Sequence, residues 1–352
     1  MPPPDLLIGE QSVVRLVSGD DVGLVRATVA PGRGMLLLQA VRRDAAGAEH
    51  DLLQAPSLAE AARRLDNGPD DFAGNAAFSF GGAILLPYAN RVRGRPRPGR
   101  VIEADLGGRT ARLPMNWGGK APGAERYAMH GLILDLAFDE VRQPSPDTVT
   151  ATVRNHDFQG RWPSRADITV TWRLAGGGLD LDVAVVNVGP EAMPIGIGWH
   201  PYFRLPSGRR DQACLRIPAR QRAGVNNYDE VLPTGQRVGV ADTAYDFTSH
   251  RPLGSLYLDD CFTDLTPSSD GMVAELTDPL GDLTIRLFAQ SPPVHAVQVY
   301  APLDQPFVCV EPQFNLADPF GAVWPEGLDT GMQRLEPLGR TAYRVRVTAG
   351  PA

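Results

Sequence analysis

The stretch "ADITVTWRLAGGGLDLDVAVVNVG", residues 166–189, constrains the fold more than any other part of this chain. Ile168, Val170, Trp172 and Leu174 alternate with Asp167, Thr169, Thr171 and Arg173, the period-2 signature of a strand with one face buried. Glycines 176–178 then turn the chain, and Leu179, Leu181, Val183 and Val185 resume the alternation, so the segment predicts a β-hairpin. The same rhythm recurs in "SVVRLV", "VGLVRATVA", "GMLLLQAV", "TVTATV", "LTIRLF" and "AYRVRVTA", separated by Gly, Pro and Asp clusters. The chain therefore reads as all-β and antiparallel. One short helix is predicted in "SLAEAARRLDNG", where Ser57 and Glu60 have capping-box spacing, Leu58, Ala62 and Leu65 recur at helical intervals, and Gly68 marks the end.

With 352 residues the chain has room for one large β domain or two ordinary ones. No linker, composition shift or repeat divides it, so a single domain over 1–352 is expected, built as a large antiparallel β-sandwich. Functional sites on such scaffolds sit on strand ends and loops over a concave face. The arginine- and proline-rich "RGRPRPGR", residues 93–100, reads as a surface loop. The start "MPPPDLLIGEQSVVRL" has neither the basic opening nor the apolar run of a signal peptide, and no segment approaches a membrane span of ~20 apolar residues. Cys214, Cys261 and Cys309 are odd in number and widely spaced, which argues against a disulfide framework and against a zinc site. A cytoplasmic protein without a membrane partner is the expectation.

A formal charge of −7 argues against a nucleic-acid partner, because phosphate binding needs a basic field. Lys120 is the only lysine, so Schiff-base or P-loop chemistry would rest on it alone; no P-loop motif surrounds it, and it reads as a solvated loop residue.

Chemistry has to come from six histidines and a few placed carboxylates. His50, His130, His156, His200, His250 and His295 show no HExxH or HxH spacing, so acid–base work is a more economical expectation than a metal. His200 lies in "GIGWHPYFRL", after a strand-like run and before Pro201; His130 opens "HGLILDLAFD", where Gly131 permits a turn or a close backbone approach. Taken singly, each has a plainer reading that is to be preferred: a satisfied core histidine for His200, a loop histidine for His130. Glu311 shifts that balance. It follows the apolar run "PFVCV", and a carboxylate at the end of a buried strand is costly unless it has a partner or a task. Asp259 and Asp260 in "YLDDCFTDL" point to opposite faces if extended, so one of them lines a pocket at most. Asn90 and Arg91 in "PYANRVRG" offer donors suited to hydroxyl oxygens, or simply anchor a loop.

Together these segments resemble the aldose 1-epimerase family of sugar mutarotases. The likeness runs in order through "PYANRVRG" (87–94), "MHGLILDLAFD" (129–139), "GWHPYFRL" (198–205), "YLDDCFTDL" (257–265) and "VCVEPQFNLADPF" (308–320). The resemblance implies a galactose-mutarotase-like β-supersandwich, a cofactor-free pocket and interconversion of the α and β anomers of an aldose. It implies His200 as general acid and Glu311 as general base, with Arg91, His130 and Asp259 binding the sugar and Asn90 beside them. Two departures stand out: "HGL" where many members have "HGG", which concerns Leu132, and Asp260 where many have histidine after the pocket aspartate. Both put sugar preference in question, as do arginines 93, 95, 97 and 100, which suit a charged or phosphorylated sugar if they are not simply solvated. Two other classes stay open, a non-catalytic sugar-binding or sensor protein and a glycoside hydrolase using Asp259 and Glu311.

Overall fold

The computed structural model describes residues 6–352. Its two large antiparallel sheets are built from the alternating segments. Strands Ala166–Ala175 and Gly178–Asn187 pair in continuous register, closed over Gly176 and Gly177. Both glycines hold a left-handed φ, +53° and +67°, which a two-residue turn matched to strand twist requires. Ile168, Val170, Trp172, Leu174, Leu179, Leu181, Val183 and Val185 are all buried, so one face of the hairpin supplies core as the alternation predicts.

That hairpin is central to a nine-stranded sheet, flanked by Thr148–His156 on one side and by Arg340–Gly350 and Leu283–Ala289 on the other. An eleven-stranded sheet faces it. Its middle runs, in spatial order, through Leu258–Leu265, Ala296–Ala301, Phe307–Gln313, Gly198–Arg204, Gly82–Leu85 and Leu36–Arg43. The core fills the space between the two sheets. Trp172 of one sheet meets Trp199 of the other edge to face at 5.7 Å, and its indole N–H donates to the Met35 carbonyl at 3.0 Å. The Tyr343 hydroxyl likewise crosses the layer to the Pro312 carbonyl at 2.6 Å. Trp172 and Tyr343 are thus buried with their polar ends satisfied.

The helix spans Leu58–Arg64, with the Ser57 hydroxyl accepting from the Glu60 N–H. Only half of the capping box forms, because the Glu60 side chain pairs with Arg63 instead of turning back. The helix also ends earlier than Gly68. Asp66 accepts from the Gly68 N–H at 2.8 Å, an Asx turn that competes with further helix.

The expectation for "RGRPRPGR" needs correction. Arg95–Arg97 is an edge strand paired with Val101–Asp105, a place where proline is tolerated. Arg95, Arg97 and Arg112 converge on Glu103, whose carboxyl is held down at about 2 chiefly by its bond from Arg97. Arg93 makes a two-pronged contact with Glu125, and Arg100 lies over the Phe72 ring at 3.7 Å.

Candidate active site

Strands Gly198–Arg204 and Phe307–Gln313 are neighbours in the middle of the larger sheet, and their side chains obey the same alternation. Trp199, Phe203, Val308 and Val310 enter the core between the sheets. His200, Tyr202 and Glu311 therefore project from the opposite face, which forms the floor of a cleft of about 220 Å³. The register Gly198↔Gln313 and Tyr202↔Cys309 sets His200 directly opposite Glu311. His200 Nε2 lies 3.3 Å from Glu311 Oε1, with the two side chains only 6% and 1% exposed. On the other side of Glu311 the next strand places Gln298 beside it, by the pair Gln298↔Glu311.

Asp259 and Gln298 come from strands Leu258–Leu265 and Ala296–Ala301 of the same sheet and Arg91 from the short strand Arg91–Val92, while Asn90 and His130 come from two loops held against each other. Gly131 packs on Leu86 so closely that a Cβ there would stand 2.3 Å from the Leu86 carbonyl oxygen, at a φ of +87°. Only glycine permits that approach. Next to it, His130 and Asn90 are both left-handed, at φ +63° and +62°, and the His130 N–H donates to the Asn90 carbonyl at 2.9 Å. Two non-glycine residues in this region, joined to each other, hold strain at the cleft wall. The His130 ring meets the His200 ring edge to face at 4.8 Å.

A closed set of polar contacts then fixes the wall. Arg91 donates through Nη2 to Asp259 at 3.1 Å, through Nη1 to Asn90 Oδ1 at 2.8 Å and through Nε to the Tyr127 hydroxyl at 3.2 Å. Gln298 accepts from the Asn90 amide at 3.0 Å and donates to the other oxygen of Asp259 at 2.6 Å. Asp259 thus faces the cleft already oriented on both oxygens. Asp260 turns away and is fully buried, accepting from Arg222 at 2.7 Å and from the Tyr228 hydroxyl at 2.8 Å.

An aldose 1-epimerase family model matches residues 46–333, most of the chain. The chain belongs to the aldose 1-epimerase family. A protein named maltose epimerase from Levilactobacillus brevis is 25% identical over 254 residues, covering 67% of this chain and 70% of that protein. YihR of Escherichia coli K12, an uncharacterised protein, is 26% identical over 235 residues, covering 66% and 68%. Among solved structures, the GalM/aldose epimerase homologue of C. elegans superposes with a TM-score of 0.73 at 18% identity, over 97% of this chain and 99% of its own. A galactose mutarotase-like protein from Clostridium acetobutylicum gives 0.71 at 17% identity, covering 94% of each. These last two likenesses carry the fold alone. Family membership and the maltose epimerase relative support an epimerase acting on a sugar.

In this aldose 1-epimerase relative the structure brings together all six residues singled out from sequence, since Asn90, Arg91, His130, His200, Asp259 and Glu311 line one cleft. The other four histidines lie elsewhere: His50 meets Asp44, His250 meets Glu275, His295 contacts the Pro293 carbonyl and His156 packs on Phe158. Of the two departures, neither Leu132 nor Asp260 lines the cleft, so neither forms its wall directly. Arginines 93, 95, 97 and 100 do not line it either. Lys120 is exposed, as expected of a loop residue, yet stands at the cleft mouth. Sequence reasoning missed Gln298, Tyr127 and Phe78. Gln298 had a signal: in "AVQVYA" it interrupts a buried strand with an amide, and buried polar groups need partners.

Burial sets the protonation of the pair. It pushes the Glu311 carboxyl well above the usual carboxylate range, with Asp259 adding to the effect and Arg91 opposing it. It pulls His200 down to about 3, and His130 well below the imidazole range, with Arg91 adding to both. The cleft thus favours a neutral imidazole beside a protonated carboxyl, not the imidazolium and carboxylate expected from the chemistry alone. The two arrangements hold the same single proton and differ only in where it sits.

His130, His200 and Glu311 are also a group of three side chains with metal-ligand atoms, all within 4.8 Å of one another. Their support does not suit a metal. Ligating histidines commonly hold their second ring nitrogen on a carboxylate or carbonyl, whereas among the described residues no such group bonds either nitrogen of His130 or Nδ1 of His200.

Proposed function

We propose that the protein is a mutarotase that interconverts the α and β anomers of an aldose by general acid–base ring opening and reclosure. The observation that carries this reading is the His200–Glu311 pair, 3.3 Å apart at the closed end of a cleft whose walls present Arg91, Asn90, Asp259 and His130 to hydroxyl groups. Anomer exchange needs one group to take the C1 hydroxyl proton and another to give a proton to the ring oxygen. Glu311 takes the first. The C1–O5 bond then breaks, its electron pair goes to O5, and His200 protonates O5, leaving the open aldehyde. Rotation about C1–C2 and the reverse steps close the ring on the other face. No electron leaves the sugar, and the protein ends with the proton count it began with.

The buried atoms Glu311 Oε2 and His200 Nδ1 have no hydrogen-bond partner among the described residues. A sugar hydroxyl that reaches the His200–Glu311 pair favours the charged arrangement, with Arg91 stabilising the carboxylate. His200 also stacks on Tyr202, ring centroids 5.1 Å apart, which offers an apolar face to sugar C–H groups beside the acid.

Asp259 is held on both oxygens by Arg91 and Gln298, which suits it to orient hydroxyls and speaks against its use as the second carboxylate of a hydrolase. The partner is a small sugar, and nucleic acid and membrane have no role in this reading. No described helix is long and apolar enough to cross a membrane. We place the enzyme in the cytoplasm, a reading supported by three cysteines that stay unpaired.

The test is optical or NMR relaxation of a freshly dissolved single anomer, over a panel of aldoses, their 6-phosphates and reducing disaccharides. Acceleration above the spontaneous rate for at least one sugar is expected. Release of the aglycone from an aryl glycoside would assign a hydrolase, and folded protein that binds sugar without accelerating any relaxation would assign a binding protein.

A further inference from the structure

The cleft continues beyond the reacting pair. From His200 two walls of aromatic rings lead outward. One steps from His200 to Phe78 at 6.3 Å and on to Trp117 at 5.4 Å. The other runs from Tyr202 through Phe307, Tyr300 and Tyr257 to Tyr228, in steps of 5.0, 6.2, 6.4 and 4.9 Å. The walls end in two half-exposed rings, Trp117 at 39% and Tyr228 at 38%, among the few large apolar side chains open to solvent. Both line the same cleft.

These rings are held in place. Tyr228 gives its hydroxyl proton to Asp260, which is fully buried and fixed by Arg222. The segment after Trp117 is stitched to the segment after Tyr228: Asp229 accepts from the Lys120 and Ala121 N–H groups at 2.8 and 3.0 Å, and Glu230 accepts from the Glu125 N–H at 2.6 Å. Gly119 lies where a Cβ would stand 2.5 Å from the Asp229 carboxylate, so the two rim segments are in close contact. Exposed aromatic rings fixed at a cleft mouth lose little side-chain entropy on binding, and offer flat apolar faces beside hydrogen-bonding groups. Lys120 and Tyr257 are the residues beside them in the same cleft that carry such groups.

We propose that the mouth of the cleft, between Trp117 and Tyr228, is a subsite for a second sugar ring, so that the preferred substrate is a reducing disaccharide whose anomeric end reaches His200 and Glu311. The proposal rests on the mutarotase reading for its inner site. It gives Asp260 a role the cleft lining does not reveal: it is a positioning residue that acts through Tyr228.

Equilibrium binding tests this independently of turnover. Dissociation constants for maltose, cellobiose and lactose are compared with those for glucose and galactose, by titration calorimetry, in the parent, Trp117→Ala, Tyr228→Ala, Tyr228→Phe and Asp260→Asn. At least one disaccharide is expected to bind the parent tenfold or more tightly than its monosaccharides. Trp117→Ala and Tyr228→Ala should each remove most of that advantage while changing monosaccharide binding less than about twofold. Tyr228→Phe keeps the ring and should lose part of it, and Asp260→Asn should match Tyr228→Phe because both weaken the same bond. The subsite is overturned if no disaccharide binds more tightly than its monosaccharides, if neither class binds, or if the advantage survives in a folded Trp117→Ala/Tyr228→Ala double variant. Failure of the mutarotase reading is separate: it shows as absent anomer exchange with the binding pattern intact.

Discussion

Replacing Glu311 with glutamine separates what the carboxyl does for the reaction from what it costs the fold. The amide keeps the size of the side chain but neither accepts a proton as a base nor titrates. General acid–base catalysis contributes roughly a hundred- to ten-thousand-fold, so kcat for anomer exchange should fall within that range. Stability should move the other way. In the unfolded chain Glu311 ionises near its usual value of 4.5, whereas burial keeps it protonated far above that in the native state. A group whose native pKa is raised stabilises the fold fully below the unfolded value, and loses that contribution as pH rises. That loss grows by roughly 1.4 kcal/mol for each pH unit over which the native carboxyl keeps a proton that the unfolded chain has released. Glu311→Gln escapes that loss. Its Tm should match the parent's near pH 4 and exceed it progressively toward pH 7, while kcat falls. Calorimetric melting at both pH values and anomer exchange by NMR give the two readouts. A variant less stable than the parent at pH 7 would show that the native pair is an ion pair, and a folded variant with parental kcat on every sugar the parent turns over would remove Glu311 from the chemistry.

His200→Asn should lower kcat over the same range, and the His200→Asn/Glu311→Gln double variant should lose much less than the product of the two single losses, because the residues share one proton. The pH profile of kcat/KM should be a broad bell. A second proton on the pair abolishes the base, and with His200 held at about 3 that limb lies well below an ordinary imidazole; loss of the single proton abolishes the acid, and Glu311 holds it far above an ordinary carboxylate. An acidic limb near the usual imidazole value of about 6.5 would contradict this. Arg91→Ala should raise KM strongly and lower Tm, since it removes a buried guanidinium and leaves the part-buried Asp259 without its cation. Exhaustive chelation should leave anomer exchange unchanged, and loss of turnover restored by one added ion would place a metal at His130, His200 and Glu311.

How far the sequence could be read depended on the kind of order involved. The hairpin of residues 166–187 was legible because one face of it packs on core and the other on solvent, so every second residue reports burial. The strand Gly198–Arg204 shows no such contrast: all but Arg204 are buried, because one face meets the core and the other the cleft. Its direction came from chemistry instead, since a histidine and a tyrosine on one face and a tryptophan and a phenylalanine on the other have different tasks. Asp259 and Asp260 separated as alternation required, one to the cleft and one away. What alternation could not supply was pairing between distant segments. Nothing local in "RGRPRPGR" reveals that Glu103 waits opposite, and nothing in "NNYDE" announces that Tyr228 reaches Asp260. The protonation of His200 and Glu311 was equally out of reach, because it is a property of the burial around them.

That burial explains why the pair needs so much surrounding structure. A carboxyl and an imidazole taken out of water lose hydration that a 3.3 Å contact between them only partly returns, and two of their four polar atoms have no partner among the described residues. An open site would spare the fold this cost, but water would then satisfy both groups and return their pKa values to solution levels, far apart and without a shared proton. Placing them opposite each other on the two central strands of a large sheet fixes their separation through backbone hydrogen bonds instead of side-chain contacts. The surroundings then add orientation: in the loops Gly131 against Leu86 aims His130, and from neighbouring strands Arg91 with Gln298 aims Asp259. Reactivity therefore sits on the two central strands, and recognition is shared between their neighbouring strands and the loops around the rim. Changes in the rim, such as Asp260 holding Tyr228, can alter which sugar enters without moving the atoms that transfer the proton.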